Sequence, residues 1–395
     1  MPGEHAVIIQ SLDWNRSEQY INCMSEFALY IHYPYCLSRC PYCGFASSVL
    51  DERQAERYRA ALSRELTLRA SQSSWNGSSL RSIYFGGGTP ALMPAEYLKD
   101  LLEGIKNSFD YPSDIEVTLE TNPGVCDKEN LRSFREAGVN RLSIGAQSFN
   151  DDELKFLCRI HSAVDIDTAV KQARTAGFDN LSLDLIYGVP GQSVGSFITS
   201  VKHALDLEIE HLSTYALSIE KGTEFAKLIE EGKLSKPDPD QAAEQYTELC
   251  HVMRDAGFDH YELTNFARPR RQSRHNWTYW RRIPYLGLGV AAHTFNGVSR
   301  CWNTRNTALY IDLINSGKTA VTDEETLLPE EVLEETVYLG LRTIDGLDRA
   351  IAGKASAPET IEELLSNGFL ILQNGRLHIP ERHWLLLDEI VLKLL

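Results

Sequence analysis

Residues 27–48 read FALYIHYPYCLSRCPYCGFASS and hold Cys36, Cys40 and Cys43 in the spacing C-x3-C-x2-C. The apolar run before the first cysteine predicts a buried strand, so the thiols fall on the loop that follows it. Cysteine-only ligation at short spacing is typical of iron–sulfur clusters. Three thiolates would leave one iron of a [4Fe–4S] cluster open to a substrate, as a catalytic zinc site keeps one position open.

Two other uses of the three thiols remain open. A disulfide requires an oxidising compartment, and we expect none, because the N-terminal sequence has no basic segment followed by a long apolar run. A structural zinc ion usually takes four ligands, and no second Cys/His cluster follows at zinc-finger spacing. The other cysteines are most simply interpreted as reduced residues of a cytoplasmic protein: Cys23, Cys126, Cys158, Cys250 and Cys301.

The composition predicts a folded protein with an acidic surface. Of 395 residues, 43% are apolar, and 55 Asp and Glu against 39 Lys and Arg give a net charge of −16. The length predicts two or three domains. The negative charge argues against nucleic acid as a partner and against bulk attraction to an anionic membrane, although a peripheral membrane contact is left open. No apolar window reaches the length of a transmembrane segment, and residues 1–26 are predicted to be an extension ahead of the first strand.

Strands and helices alternate along the middle of the chain. The predicted strands lie at 82–90, 114–123, 140–148, 180–188, 211–220 and 260–267, with helical stretches between most of them. This alternation is typical of a parallel sheet whose connections are helices. No GxGxxG motif follows the first strand, and polar residues are spread over several strand ends, which favours a partial (β/α) barrel over a dinucleotide-binding sheet. The barrel is predicted to span residues 27–300.

Four polar residues stand where predicted strands end. They are Thr89, which follows a run of three glycines, and Glu120, Gln147 and Asp184. Any one of them could be a helix cap or a turn residue. In a (β/α) barrel, however, the carboxyl ends of the strands share one rim, and active sites lie there. Together with the cysteine loop, the four residues therefore predict one shared site.

The residue types at this rim suit a ligand that joins an amino acid to a nucleoside. The glycine run allows a close approach to the backbone, and Glu120 can accept hydrogen bonds from an ammonium group or from ribose hydroxyls. Gln147 and Asp184 suit hydroxyls. Arg159 can pair with a carboxylate through two hydrogen bonds, and Tyr42 can present its ring or backbone to an adenine.

Six motifs run in order along the chain: LYIHYPYCLSRCPYCGF, YFGGGTP, LETNP, NRLSIGAQSF, LCRIH and DLIYGVPGQ. Together they resemble the radical SAM family around the oxygen-independent coproporphyrinogen III oxidase, from about residue 28 to the C-terminus. The resemblance implies a [4Fe–4S] cluster on Cys36, Cys40 and Cys43. It also implies S-adenosylmethionine contacts at Tyr30, Tyr42, Gly87, Gly88, Thr89, Glu120, Gln147, Arg159 and Asp184. In this family, one-electron reduction of the cluster leads to cleavage of S-adenosylmethionine into methionine and a 5′-deoxyadenosyl radical.

One position departs from the oxidase pattern. The oxidases have a further cysteine two residues after the third thiol, and this chain has Phe45 there. The departure disfavours decarboxylation of a porphyrinogen. An enzyme that acts on a porphyrinogen, or a radical SAM methyltransferase, is kept as the alternative function.

Residues 267–282, ARPRRQSRHNWTYWRR, are basic and aromatic within an acidic chain. They could form a solvated basic loop with aromatic residues packed beneath it. They could also bind haem, with His275 as an axial ligand, the rings of Trp277, Tyr279 and Trp280 over the macrocycle, and arginines on the propionates. The run HNWTYW matches the H-N-x-x-Y-W motif of the HemW-like haem chaperones, a sister group that also lacks the extra cysteine.

Residues 301–395 are predicted to form a second domain. The pair Asn374–Gly375 stands between two apolar runs and predicts a two-residue hairpin. Helices before it and a helix after it predict a small winged-helix-like α+β unit. His211 and His293 are expected to be core or supporting residues rather than ligands.

These features predict a haem chaperone of the radical SAM family. It would bind the cluster, S-adenosylmethionine and haem, and it would hand haem to acceptor proteins. Radical chemistry would in addition require an electron donor.

Overall fold

The computed structural model describes residues 26–395 apart from residues 73, 74 and 76, so the predicted extension over 1–26 lies outside the described residues except for its last residue. The strands are β1 (Glu26–Tyr33), β2 (Tyr35–Cys36), β3 (Ser48–Val49), β4 (Ser79–Gly87), β5 (Glu116–Thr121), β6 (Arg141–Gln147), β7 (Leu181–Tyr187), β8 (His211–Ala216), β9 (Asp259–Glu262), β10 (Asn265–Ala267), β11 (Tyr285–Leu288), β12 (His293–Phe295), β13 (Ser299–Asn303), β14 (Val321–Thr326), β15 (Leu347–Asp348), β16 (Ile371–Gln373) and β17 (Arg376–His378).

The helices follow the same chain order. They are α1 (Glu52–Ala70), α2 (Ala95–Ser108), α3 (Lys128–Ala137), α4 (Asp151–Phe156), α5 (Ala163–Thr175), α6 (Val194–Asp206), α7 (Glu224–Glu230), α8 (Pro239–Asp255), α9 (Arg274–Trp280), α10 (Thr307–Asn315), α11 (Pro329–Leu341), α12 (Arg349–Ala355), α13 (Pro358–Ser366) and α14 (Leu387–Leu394). Among the described residues, no helix combines the length and the apolar character needed to cross a membrane.

Twelve of the strands form one open sheet in the order β14-β13-β12-β11-β1-β4-β5-β6-β7-β8-β10-β9. From β11 to β8 in this order, neighbouring strands are parallel. The strands outside that block pair antiparallel. Helices lie between β1 and β4 and between each consecutive pair of strands from β4 to β8. The predicted partial (β/α) barrel is therefore confirmed.

The sheet differs from the predicted one at both edges. Residues 260–267, predicted as one strand, form the antiparallel hairpin of β9 and β10, because residues 263 and 264 turn the chain. Strands β11 to β14 extend the sheet beyond β1. Strand β14 is exposed along most of its length, so it lacks the apolar alternation that would have predicted it.

Helix α1 shows how the sequence places a helix on this sheet. Asp51 caps its first turn by accepting a hydrogen bond from the amide of Gln54 at 2.9 Å. The hydroxyl of Tyr58, on the buried face, donates to the carbonyl of His32 at 2.7 Å. The helix is therefore tied to the end of β1, directly before the cysteine loop. The other buried residues of this face are Ala55, Ala61, Leu62, Glu65 and Leu66.

A buried carboxylate, Glu65, joins α1 to the strands beyond β1. It is 1% exposed and accepts hydrogen bonds from the amide of Gly289 at 2.7 Å, the side chain of Asn303 at 2.7 Å and the hydroxyl of Tyr310 at 2.6 Å. Burial raises the pKa of this carboxyl, and the three hydrogen bonds oppose the rise. The network fixes β11 and β13 against the helix.

A second, smaller core lies in the C-terminal part. It is built from α11 to α14 and the sheet β15-β17-β16. Asn374 and Gly375 turn between β16 and β17 with φ angles of 51° and 77°, which confirms the predicted two-residue hairpin. Strands β13 and β14 and helix α10 pack with the larger sheet. The second core thus begins with α11, and the domain boundary at 301 stays a prediction.

Replacing Glu65 with Ala leaves three buried donors without their acceptor. Each unsatisfied buried donor costs about 1–3 kcal/mol, so Glu65→Ala is expected to lower the free energy of unfolding by at least about 3 kcal/mol. Thermal and urea unfolding of the apo-protein measure this loss. Glu56→Ala, on the exposed face of the same helix, is the control and should change the free energy by less than about 0.5 kcal/mol. Equal stability of the two variants would contradict the network's role.

Candidate cofactor-binding site

The three cysteines of the loop line one cavity at the carboxyl edge of the parallel strands. The cavity has a volume of about 610 Å³ and is bordered by Cys36, Cys40 and Cys43. All three thiols are free and partly exposed. The loop that carries them leaves β2 and returns at β3, where the amide of Ser48 donates to the carbonyl of Pro34 at 2.8 Å. The thiols therefore sit on one closed loop and face one space.

The glycine run at the end of β4 packs directly against the cysteine loop. The amide of Gly88 donates to the carbonyl of Tyr33 at 2.8 Å. The amide of Thr89 donates to the carbonyl of Tyr35, also at 2.8 Å. A Cβ atom at Gly88 would lie 2.6 Å from the carbonyl oxygen of Tyr35, which is closer than real Cβ atoms approach. Only glycine permits this contact, so the two segments form one rim.

Arg159 brings positive charge to the cysteine loop. Its Nη1 atom lies 3.3 Å from Sγ of Cys40. Its Nη2 atom donates to the carbonyl of Gly145 at 3.0 Å and to the side chain of Asn122. The guanidinium therefore lies beside a sulfur of the loop and is held there by two oxygen acceptors. The sequence predicted Arg159 at this rim but not its contact with Cys40.

Two carboxyl groups lie on the wall of the cavity. Glu120 accepts hydrogen bonds from the hydroxyl of Tyr84 at 2.7 Å and from the amide of Gly87 at 3.1 Å. Burial raises the pKa of its carboxyl to about 7; the hydrogen bond from Tyr84 opposes the rise, and the charge of Asp184 adds to it. Asp184 accepts from the hydroxyl of Ser143 at 3.2 Å, and burial raises its pKa as well. A cationic ligand would favour the ionised form of both groups.

The cavity also holds Arg141, which the sequence did not single out. The residue is 2% exposed, and it borders the cavity together with Asn276. Its Nε atom has no hydrogen-bond partner within the described part of the chain. Its positive charge counteracts the rise in the pKa of Glu120 and of Asp184. The motif NRLSIGAQ contains this arginine at the start of β6, whereas the site was expected at the ends of the strands. Nothing in the sequence therefore indicated that the side chain of Arg141 reaches the cavity.

Most of the predicted ligands share this cavity. Besides the cysteines, it is lined by Tyr42, Gly87, Gly88, Glu120, Gln147, Arg159 and Asp184. The hydroxyl of Thr89 accepts a hydrogen bond at 2.9 Å from Asn122, a cavity residue that was missed although it belongs to the motif LETNP. Tyr30 lines a neighbouring cleft instead, with its hydroxyl 3.0 Å from Nδ1 of His32.

His275 lies outside the cavity. It is 1% exposed, with Nδ1 2.9 Å from the hydroxyl of Ser82 and Nε2 3.0 Å from the hydroxyl of Tyr279. Its ring stacks on Tyr84 with 4.9 Å between the centroids. Burial lowers the pKa of the imidazole to about 3. Both ring nitrogens are engaged, so an iron atom would have to displace one of these contacts, and the role of His275 as a haem ligand stays a prediction.

Much of the rest of residues 267–282 is engaged in contacts within the protein. Four of its arginines form ion pairs: Arg271 with Asp179, Arg274 with Asp114, Arg281 with Asp345 and Arg282 with Glu335. Trp277 is buried and packs against Arg281, and Trp280 packs against Arg342. Tyr279, by contrast, lines the cleft that Tyr30 borders. Most of the groups predicted to hold haem are thus committed to structural contacts.

The residues around the cavity fit the cofactors that the sequence predicts. Among the described residues that line it, three are cysteines, and there is no fourth cysteine and no histidine. This donor set suits a four-iron cluster with one open iron better than a tetrahedral zinc ion. The carboxyls of Glu120 and Asp184 and the backbone of the glycine run suit the ammonium and hydroxyl groups of an amino-acid nucleoside.

Comparison with known proteins places these features in a family. Residues 30–204 match the Radical SAM superfamily. The chain is 35% identical over 369 residues to the "Heme chaperone HemW" of Bacillus subtilis, with 91% of this chain and 97% of that protein covered. It is 36% identical over 372 residues to the protein of that name from Mycobacterium tuberculosis, covering 93% and 95%. It is also 37% identical over 392 residues to the "Radical S-adenosyl methionine domain-containing protein 1, mitochondrial" of Bos taurus, covering 93% and 87%.

A solved structure shares the fold. Coproporphyrinogen III oxidase (HemN) from Escherichia coli, described as a radical SAM enzyme, matches with a TM-score of 0.80 and 23% identity over 95% of this chain and 92% of its own. At that identity the likeness shows the fold alone. The relatives that span nearly the whole chain decide the family: this protein belongs to the HemW family of radical SAM proteins.

Proposed function

We propose that this protein is a haem chaperone that binds a [4Fe–4S] cluster, S-adenosylmethionine and haem and transfers haem to acceptor proteins. The observation that carries the proposal is Phe45, which is 67% exposed beside the cavity and stands where the oxidases have their additional cysteine. A phenyl ring can neither ligate a metal nor exchange a proton, so a group of the oxidase site is missing. Relatives named as haem chaperones, at 35% and 36% identity, support the same assignment.

The cavity provides the groups for the two cofactors. Cys36, Cys40 and Cys43 are proposed to hold the cluster, with the guanidinium of Arg159 beside Sγ of Cys40 at 3.3 Å. A bound, reduced cluster supplies the electron that splits S-adenosylmethionine. Glu120 is proposed to hold the ammonium group of that ligand. The residues proposed to contact S-adenosylmethionine are Tyr30, Tyr42, Gly87, Gly88, Thr89, Glu120, Gln147, Arg159 and Asp184.

A cytoplasmic location and a separate electron donor are part of the proposal. Free thiols persist in reducing compartments, and the described cysteines are all free. The net charge of −16 favours neither nucleic acid nor an anionic membrane as a partner.

The affinity for S-adenosylmethionine should fall as the pH falls through the pKa of Glu120. This pKa is about 7 in the free protein, so the carboxyl is mostly ionised at about pH 8 and mostly protonated at about pH 6. An ammonium group binds the ionised form, which predicts a loss of affinity of about tenfold over that interval. Calorimetric titration measures it.

Glu120→Gln is the control for this titration, because it keeps the size of the side chain and removes its proton equilibrium. The amine of the ligand titrates identically against both proteins, so its effect cancels in the ratio of their affinities. The affinity of the wild type divided by that of Glu120→Gln should fall by about tenfold from pH 8 to pH 6. A ratio independent of pH would remove Glu120 from the ammonium contact.

Haem transfer and porphyrinogen chemistry distinguish the proposed function from its alternative. Cluster-loaded protein prepared without oxygen is charged with haemin and mixed with an apo-haem protein, and the holo-acceptor is followed by its Soret band. Transfer faster than from free haemin is expected.

The same preparation, reduced and supplied with S-adenosylmethionine and coproporphyrinogen III, is expected to form no protoporphyrinogen. Protoporphyrinogen formation, or methyl transfer to an added acceptor, would favour the enzyme instead.

A further inference from the structure

A second cleft lies beside the cysteine loop, between its end and strands β11 and β12. Its volume is about 280 Å³, and the rings of Phe45, Tyr279 and Tyr285 border it together with His293 and Arg305. Phe45 borders the cavity of the cysteines as well. The two spaces are therefore neighbours, separated by the end of the cysteine loop.

His293 offers an imidazole without a hydrogen-bond partner to this cleft. The residue is exposed, and neither ring nitrogen is hydrogen-bonded within the part of the chain that the structure describes. The ring stacks on Trp302, with 5.5 Å between the centroids and 25° between the planes, which orients it. Partial burial and nearby arginines lower the pKa of the imidazole, which favours its neutral form. The neutral ring is the form that ligates a metal.

Arg305 is a cation of this cleft without an acidic partner. It is exposed and donates to the carbonyl of Gly44 at 3.2 Å, and among the described residues no acidic side chain forms an ion pair with it. Nearby Arg300, in contrast, pairs with Glu325 at 3.7 Å and with Glu335. A guanidinium that lacks a carboxylate can bind one from outside through two hydrogen bonds.

Tyr279 connects the cleft to the HNWTYW motif. Its ring borders the cleft and meets the ring of Tyr285 edge-on at 4.9 Å between the centroids. Its hydroxyl is 3.0 Å from Nε2 of His275, and Nδ1 of that histidine is 2.9 Å from the hydroxyl of Ser82. His275 thus holds Tyr279 in place from behind. Loss of His275 would loosen one wall of the cleft without removing a group that faces it.

We propose that haem binds in this cleft, with His293 as an axial ligand to the iron and Arg305 on a propionate. The inference rests on the proposed haem-chaperone function and assigns to His293 the role that the sequence suggested for His275. The rings of Phe45, Tyr279 and Tyr285 supply apolar contact to the macrocycle.

The size of the cleft suits a carrier of haem. At about 280 Å³ it lies below the roughly 300–1,000 Å³ of pockets that enclose most of a drug-sized ligand. It therefore encloses only part of a haem molecule. The rest of the macrocycle would stay exposed. An acceptor protein could contact this exposed part before the iron exchanges His293 for a ligand of the acceptor.

Titration of the full-length protein with haemin tests the ligand assignment. Absorption in the Soret region reports affinity, and paramagnetic resonance of the ferric haem reports axial nitrogen ligation. His293→Ala is expected to raise the Kd by at least about tenfold, the range seen when metal sites lose supporting groups, and to lose the nitrogen signature. His293→Gly with added imidazole should regain the wild-type spectrum, which shows that the variant is folded. His251→Ala, an exposed histidine on α8, is the matched control and should match the wild type.

His275→Ala separates a positioning role from ligation. It is expected to weaken haemin binding while the axial nitrogen signature persists. Arg305→Glu should weaken the binding of haemin but not that of its dimethyl ester, which lacks the propionate charges. A wild-type spectrum for His293→Ala, with the signature lost in His275→Ala, overturns this assignment and leaves the chaperone function standing. Failure of the wild-type protein to bind haemin overturns both.

Discussion

The backbone contact between the glycine run and the cysteine loop is the constraint on which the cofactor site depends. Two amide-to-carbonyl hydrogen bonds of 2.8 Å join the residues after β4 to the last residue of β1 and to the first residue of β2, and β1 and β4 lie within the parallel block of the sheet. From the other side, Tyr58 of α1 ties the end of β1 to its helix. A loop held on two sides loses little further conformational entropy when it binds a cluster. This is why three thiols on a short irregular loop can act as a prepared set of ligands.

Buried charge is the second organising feature of the cavity. Glu120, Asp184, Arg141 and Arg159 all border one space, where burial raises the pKa of the two carboxyls and the charge of Arg141 counteracts that rise. Such a set is costly to bury without complete pairing and is typical of functional sites. The proposed ligand carries an ammonium, a carboxylate and a sulfonium, and the cavity wall offers both carboxyl and guanidinium groups to such charges.

The sequence predicts those features that depend on residues close together in the chain. Apolar runs mark β1 and β4 to β8, and the spacing of three cysteines marks the loop, since both depend on neighbours in the chain. Contacts between distant segments escape such patterns: Arg159 reaches Cys40 across 119 positions, and Glu65 reaches Tyr310 across 245. Residues 267–282 are basic and aromatic, which suggested an accessible site, yet α9 packs against β4 and β1 and four arginines of the segment are paired with acidic residues. The apolar surroundings of His293 suggested a core residue, whereas in β12 the residue is exposed.

The open iron site is tested most directly by paramagnetic resonance of the reduced protein, prepared without oxygen, before and after S-adenosylmethionine is added. Three cysteine ligands predict a [4Fe–4S] signal whose g-values shift when the ligand binds, because it coordinates the iron that lacks a thiolate. Cys36→Ala should lose the signal and about four irons per chain, while Cys301→Ala, outside the loop, keeps both. A signal that S-adenosylmethionine leaves unchanged, or a cluster that survives Cys36→Ala, would contradict ligation by three thiols with one iron open.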